Sequence, residues 1–157
     1  MVPETPAPAL SIEHATAADE PEWLTLWHGY LRFYRAHLPD GTTRATWRRI
    51  LDETHPFRCF VARDRAGGAV LGFALHFPHP SSWCTVGEMY LEDLYVADDA
   101  RGRGVGRALI EAVKESARAE KLDRVYWMTE TDNATARALY DRLAGGADDY
   151  VRYRLKV

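Results

Sequence analysis

The residues best suited to chemistry lie in one run, Arg101-Gly102-Arg103-Gly104-Val105-Gly106-Arg107. Its alternate glycines remove the side chains that would hold a ligand away from the backbone. An apolar strand pattern precedes the run and a helical pattern follows it. The first amides of such a helix have no intrahelical acceptor, so they point outward carrying partial positive charge. Strand, glycine turn and helix N-terminus together make an anion site suited to a pyrophosphate, to which Arg101, Arg103 and Arg107 add charge. The spacing excludes two other phosphate sites. A P-loop ends in Gly-Lys-Ser/Thr, whereas Gly106 is followed by Arg107-Ala108. The dinucleotide pattern Gly-x-Gly-x-x-Gly requires glycine where Arg107 or Leu109 stands.

Hydrophobic spacing predicts the elements around this run. Leu10-Ser11-Ile12 reads as a short strand. Thr16 or Asp19 caps a helix with Pro21 in its first turn and Leu24, Trp27, Leu31 and Tyr34 at helical spacing. That helix is expected to end near His37, before Pro39-Asp40-Gly41. Thr43 is expected to cap a second helix carrying Trp47, Ile50 and Leu51, closed by Pro56. Strands follow at residues 57–62, 69–77 and 88–96. In the third, Met89 and Leu91 alternate, but Leu91 and Leu94 are three apart, which predicts a bulge near Glu92-Asp93. The helix after the glycines runs to about Glu120, with Val105, Leu109, Ala112, Val113 and Ala117 on one face. A short strand at 124–128 comes next. Thr131-Asp132-Asn133 then caps a helix bearing Ala136, Leu139, Tyr140 and Leu143 on one face, which Gly145-Gly146 stops. A closing strand is expected at 150–155. The order implies an α/β (α+β) fold around a mixed, mostly antiparallel sheet with one parallel crossover.

At 157 residues the chain has the length of one domain, expected over 8–157 behind a frayed tail, 1–7. A net charge of −3 argues against a coat for nucleic acid, which is usually strongly basic. No apolar run reaches the length of a membrane span. Cys59 and Cys84 form no Cys-x-x-Cys pair, and no basic-then-apolar leader precedes them, so reduced thiols in a cytoplasmic protein are expected. His76, His79 and Cys84 fit no zinc spacing, so no metal is expected.

Three segments carry a resemblance to a known family. Arg101-x-x-Gly104-x-Gly106 matches the acyl-CoA pyrophosphate motif of the GNAT N-acetyltransferase superfamily, Gln/Arg-x-x-Gly-x-Gly/Ala. The preceding Tyr90-Leu91-Glu92-Asp93-Leu94-Tyr95-Val96 resembles the strand of diamine acetyltransferases. Val125-Tyr126-Trp127, Asn133, Ala136 and Leu139-Tyr140 are similar to the second cofactor segment of the histone/polyamine branch.

The resemblance implies a sheet whose central strands splay apart. Backbone groups of Leu94, Tyr95 and Val96 would then bond the pantetheine arm of acetyl-CoA. Amides from Gly102 through Arg103, Gly104, Val105, Gly106 and Arg107 would hold its pyrophosphate, and Asn133 matches a cofactor-contacting position. The implied reaction is direct attack of an amine on the acetyl thioester. An alkyl amine of pKa ~10.4 is mostly protonated at pH 7, and removing that proton costs roughly 4–5 kcal/mol, so a general base is useful. Glu92 matches the acidic residue of the family strand, with Asp93 in reserve, and Tyr140 matches the tyrosine that protonates the departing thiolate. The first two helices cover the substrate cleft in this superfamily, which makes Tyr30, Tyr34 and Trp83 candidates for holding the amine by cation–π contact. The expected substrate is a small amine: a polyamine, an amino acid or an aminoglycoside-like molecule. A protein lysine or N-terminus, or a non-catalytic acyl-CoA-binding role, is the alternative. A homodimer is expected by analogy with related branches.

Overall fold

The computed structural model describes residues Ala9–Val157, and the expected tail at 1–7 lies outside them. The chain divides into two compact units, the first ending at Trp127 and the second spanning Met128–Val157.

The first unit is built on a five-stranded sheet in sequence order, β1 (Leu10–His14), β2 (Arg58–Asp64), β3 (Val70–His79), β4 (Glu88–Val96) and β5 (Val125–Tyr126). The first three pairings are antiparallel and the last is parallel, so the sheet is mixed and mostly antiparallel as expected. Two helices, α1 (Glu20–Phe33) and α2 (Asp40–Leu51), pack on one face. Their Trp23, Leu26, Trp27, Trp47 and Ile50 form a core with Cys59, Val61, Phe73 and Leu75. On the other face lies α3 (Val105–Ala119). A Cβ on Gly72 would stand 3.3 Å from both Val105 and Leu109, so the bare glycine lets α3 approach β3 closely. Alternation along β3 therefore assigns Phe73, Leu75, Phe77 and His79 to the α1 face, and Gly72, Ala74 and His76 to the α3 face.

Two helix boundaries depart from expectation. The first helix stops at Phe33 rather than near His37, because Arg35 adopts a left-handed backbone and the Ala36 N–H turns back to the Leu31 carbonyl. Thr43 does not cap the second helix, which starts at Asp40 after Pro39. It is buried one turn in, where its hydroxyl accepts the Trp27 indole N–H (3.0 Å) and ties the two helices together.

In the second unit, α4 (Ala134–Ala144) starts at the expected cap, Asn133, and ends at Gly145 in the left-handed region. The closing strand expected at 150–155 is absent: the segment is exposed and has no strand partner among the described residues. Its alternation survives in Val151, Tyr153, Leu155 and Val157, but a strand needs a ladder partner to persist.

Candidate active site

The expected bulge is present. The β3–β4 ladder pairs His76 with Leu91 and Leu75 with Asp93, leaving Glu92 as the extra residue of a two-against-one bulge. Glu92 continues the alternation of Glu88 and Tyr90 toward the α1 face, and the register shift returns Asp93 and Tyr95 to that same face. One face of one strand thus carries two consecutive carboxylates. The shift also brings Met89, Leu91, Leu94 and Val96 together on the α3 face, which explains the broken apolar pattern.

The two carboxylates have different surroundings. Glu92 is exposed. Asp93 is buried and accepts the Tyr30 hydroxyl of α1 at 2.5 Å. Burial pushes Asp93 up to about 6; the Tyr30 hydrogen bond opposes that rise and the Glu92 charge adds to it. The Tyr30 hydroxyl is itself pushed well up, by burial first and by the Asp93 charge next. Tyr30 stacks on Trp27 (5.3 Å between ring centres) and meets Tyr34 at 4.9 Å. The structure therefore brings Tyr30 to Asp93, with Tyr34 packed against Tyr30. Trp83 stands 81% exposed on the β3–β4 loop, and no ring contact joins it to them among the described residues.

An open strand edge lies beside the bulge. β5 pairs with β4 at two positions only, Met89 with Val125 and Tyr90 with Tyr126. Beyond them no described strand pairs with the β5 side of β4. Leu94, Tyr95 and Val96 lie on this stretch, where an edge with no second strand partner suits an extended chain containing amides.

The glycine run leads from this edge to α3. Gly102 and Gly104 have φ of 74° and 82°, in the left-handed region where a side chain is strained. Gly104 caps α3 without a side chain, and the first bond of the helix joins the Ala108 N–H to the Gly104 carbonyl (3.0 Å). The amides of Val105, Gly106 and Arg107 precede that bond. Arg107 is exposed, while Arg103 lies 3.8 Å from Asp64. Arg101 is engaged differently. Its Nε donates to the Val96 carbonyl (3.3 Å), its other end pairs with Asp98 (2.9 Å), and its guanidinium lies over the rings of Phe33 and Tyr95.

Within the second unit, the Asn133 side chain accepts the Ala136 N–H (3.4 Å) and donates to the Thr129 hydroxyl (3.0 Å). Tyr140 is half-buried on α4.

Sequence spacing held no sign of two pairings. Tyr30 and Asp93 are 63 residues apart, and His79 and Tyr126, whose side chains meet at 2.7 Å, are 47 apart. Only the folded sheet joins them.

Comparison with known proteins shows the family and the fold. The Acetyltransferase (GNAT) family model matches residues 23–145. The D-amino-acid N-acetyltransferase of Saccharomyces cerevisiae is 36% identical over 130 residues, covering 83% of this chain and 81% of that protein. A mycothiol acetyltransferase of Beutenbergia cavernae is 33% identical over 132 residues, or 80% of this chain, which spans only 41% of that protein's length. Among solved structures, a probable acetyltransferase superposes with a TM-score of 0.82 at 25% identity, covering 94% of this chain and 97% of its own. An aminoglycoside N-acetyltransferase in complex with CoA shares the fold, with a TM-score of 0.78 at 22% identity and 99% of each chain covered. With the family match running from α1 through α4 and over the bulge and glycine run, the chain belongs to the GNAT family of acetyltransferases and is an acyltransferase.

Proposed function

We propose that the protein transfers the acetyl group of acetyl-CoA to a primary amine of a small molecule. The observation that carries this reading is the Glu92 bulge. It sets a carboxylate on the α1 face where β4 parts from β5, next to the open edge that leads to the α3 N-terminus.

The donor set fits acetyl-CoA. The open edge at Leu94, Tyr95 and Val96 offers peptide groups to the pantetheine arm. The amides of Val105, Gly106 and Arg107, with the glycine turn and the exposed Arg107, offer an anion site to the pyrophosphate. The cofactor supplies a thioester carbonyl open to attack. As the amine nitrogen bonds to the acetyl carbon and the carbon–sulfur bond breaks, Glu92 takes the proton the nitrogen gives up. Tyr140 is assigned the proton for the departing thiolate, and Asn133 a cofactor contact. Tyr30 holds Asp93 in place beside the base, and Tyr34 and Trp83 are assigned to the amine.

The same face favours a cationic substrate. Glu88, Glu92 and Asp93 lie along it with the rings of Tyr90 and Tyr126, a surface that attracts ammonium groups. Relatives named for D-amino acids and for mycothiol support a small amine, and the acidic face supports the polyamine-type branch. The exposed, alternating segment 151–157 supports a homodimer, and the unpaired Cys59 and Cys84 support a reducing, cytoplasmic setting.

The test is incubation with acetyl-CoA and a panel of polyamines, amino acids, aminoglycosides and lysine peptides, with products identified by mass. Acetylation of one small-amine class is expected. Glu92→Gln should then lower kcat at neutral pH by about 100-fold, within the range typical of general bases, while acetyl-CoA binding stays unchanged. Acetylation of lysine peptides alone, or full turnover by Glu92→Gln, refutes the assignment.

A further inference from the structure

Two side chains with no part so far in proton transfer, His79 and Tyr126, meet on the α1 face beside the splay. His79 ends β3 and is the cross-strand partner of Glu88; Tyr126 ends β5 and is the partner of Tyr90. Four residues from three strands therefore share one face, two positions along β4 from Glu92. The His79 Nε2 lies 2.7 Å from the Tyr126 hydroxyl, and its Nδ1 lies 2.8 Å from the Pro80 carbonyl.

These contacts fix the direction of the chain. A carbonyl only accepts, so Nδ1 carries the ring hydrogen and Nε2 presents its lone pair. The Tyr126 O–H must donate to Nε2, which leaves the Tyr126 oxygen able to accept a proton from the side of the site. The Tyr126 hydroxyl is pushed up by burial first, and then by the charges of Glu88 and Glu92, so both carboxylates lie within electrostatic reach of it. Arg124 lies 3.4 Å from Glu88.

The proposed function leaves a proton on Glu92 at every turnover. With the pantetheine arm along β4 and an amine against the carboxylate, the bound substrates would cover the direct route from Glu92 to water. We propose that Tyr126 and His79 form a proton relay that clears Glu92. The Tyr126 oxygen takes the proton of the Glu92 carboxyl, directly or through one water, as its own hydroxyl proton passes to His79 Nε2. The half-buried imidazolium then loses a ring proton to solvent, and the neutral pair is restored. This inference rests on the assignment of Glu92 as base.

The experiment compares the full-length wild type with His79→Ala, His79→Gln and Tyr126→Phe, using an amine the wild type acetylates. The relay predicts a kcat about tenfold lower for all three, with KM for acetyl-CoA within twofold of wild type. Added imidazole should restore His79→Ala, and more basic imidazoles should restore it further. It should not restore Tyr126→Phe, which lacks the hydroxyl. His79→Gln can keep both hydrogen bonds but cannot take up a proton. Its loss of kcat at an unchanged melting temperature therefore separates proton transfer from a structural tie between β3 and β5, even if His79→Ala does not fold. Wild-type kcat and pH profile in His79→Gln, or a loss in a folded His79→Ala that no imidazole restores, overturns the relay and leaves the acetyltransferase reading standing. A wild type that acetylates no amine overturns both.

Discussion

Asp93 and Glu92 are neighbours in sequence with opposite surroundings, and the difference is measurable. Unfolded, Asp93 ionises near its ordinary 3.8; folded, it holds its proton up to about 6. Between those values the folded chain binds more protons than the unfolded one, so this residue's contribution to stability is full below about pH 4 and falls as pH rises through 6. A rise of that size is worth roughly 3 kcal/mol. Asp93→Asn retains a partner for the Tyr30 hydroxyl and removes the titration. The variant is expected to gain stability relative to wild type between pH 4.5 and 7.5, measured as the difference in melting temperature at the two ends. An equal difference at both ends would show that Asp93 titrates normally.

At the scale of elements, the start of α3 carries the proposed phosphate site. Gly104 holds a left-handed φ of 82° with open space where a Cβ would stand. Alanine there carries a backbone penalty of about 1–2 kcal/mol and directs a methyl group toward the proposed phosphate site. Gly104→Ala should melt several degrees lower and bind acetyl-CoA at least about tenfold more weakly by calorimetry. Unchanged affinity would remove the α3 N-terminus from the cofactor site. Elements of this kind were legible in the sequence because their signals are local. The broken spacing of Met89, Leu91, Leu94 and Val96 located the bulge, and β4 occupies the expected residues. Asn133 and Gly145 marked both ends of α4. What was not legible depends on distant partners. Thr43 looked like a cap until Trp27 claimed its hydroxyl, and the end of α1 turned on a left-handed Arg35 that no motif announces. The segment 150–155 kept a strand's alternation without a neighbour to complete it. At the candidate site, the place of Glu92 on the bulge was legible, whereas Tyr30 with Asp93 and His79 with Tyr126 join only across the sheet.

At the scale of the whole molecule, the alternating Val151, Tyr153, Leu155 and Val157 leave large apolar side chains in water, with Tyr153 and Leu155 each 91% exposed. Light scattering on the purified chain should give twice the monomer mass, and removal of residues 150–157 should return it to one. A monomer mass for the full chain at working concentration would refute the dimer. The bulge has a different consequence for the molecule. Without Glu92, the sequence Met89-Tyr90-Leu91-Asp93-Leu94-Tyr95-Val96 alternates without a break, keeps every β3 partner it has now, and leaves each apolar side chain on its present face. The architecture can be completed without this residue. A chain lacking Glu92 is expected to fold with a melting temperature at or above that of the parent, to bind acetyl-CoA, and to transfer nothing. Scaffold and reactivity would then be separable by one codon.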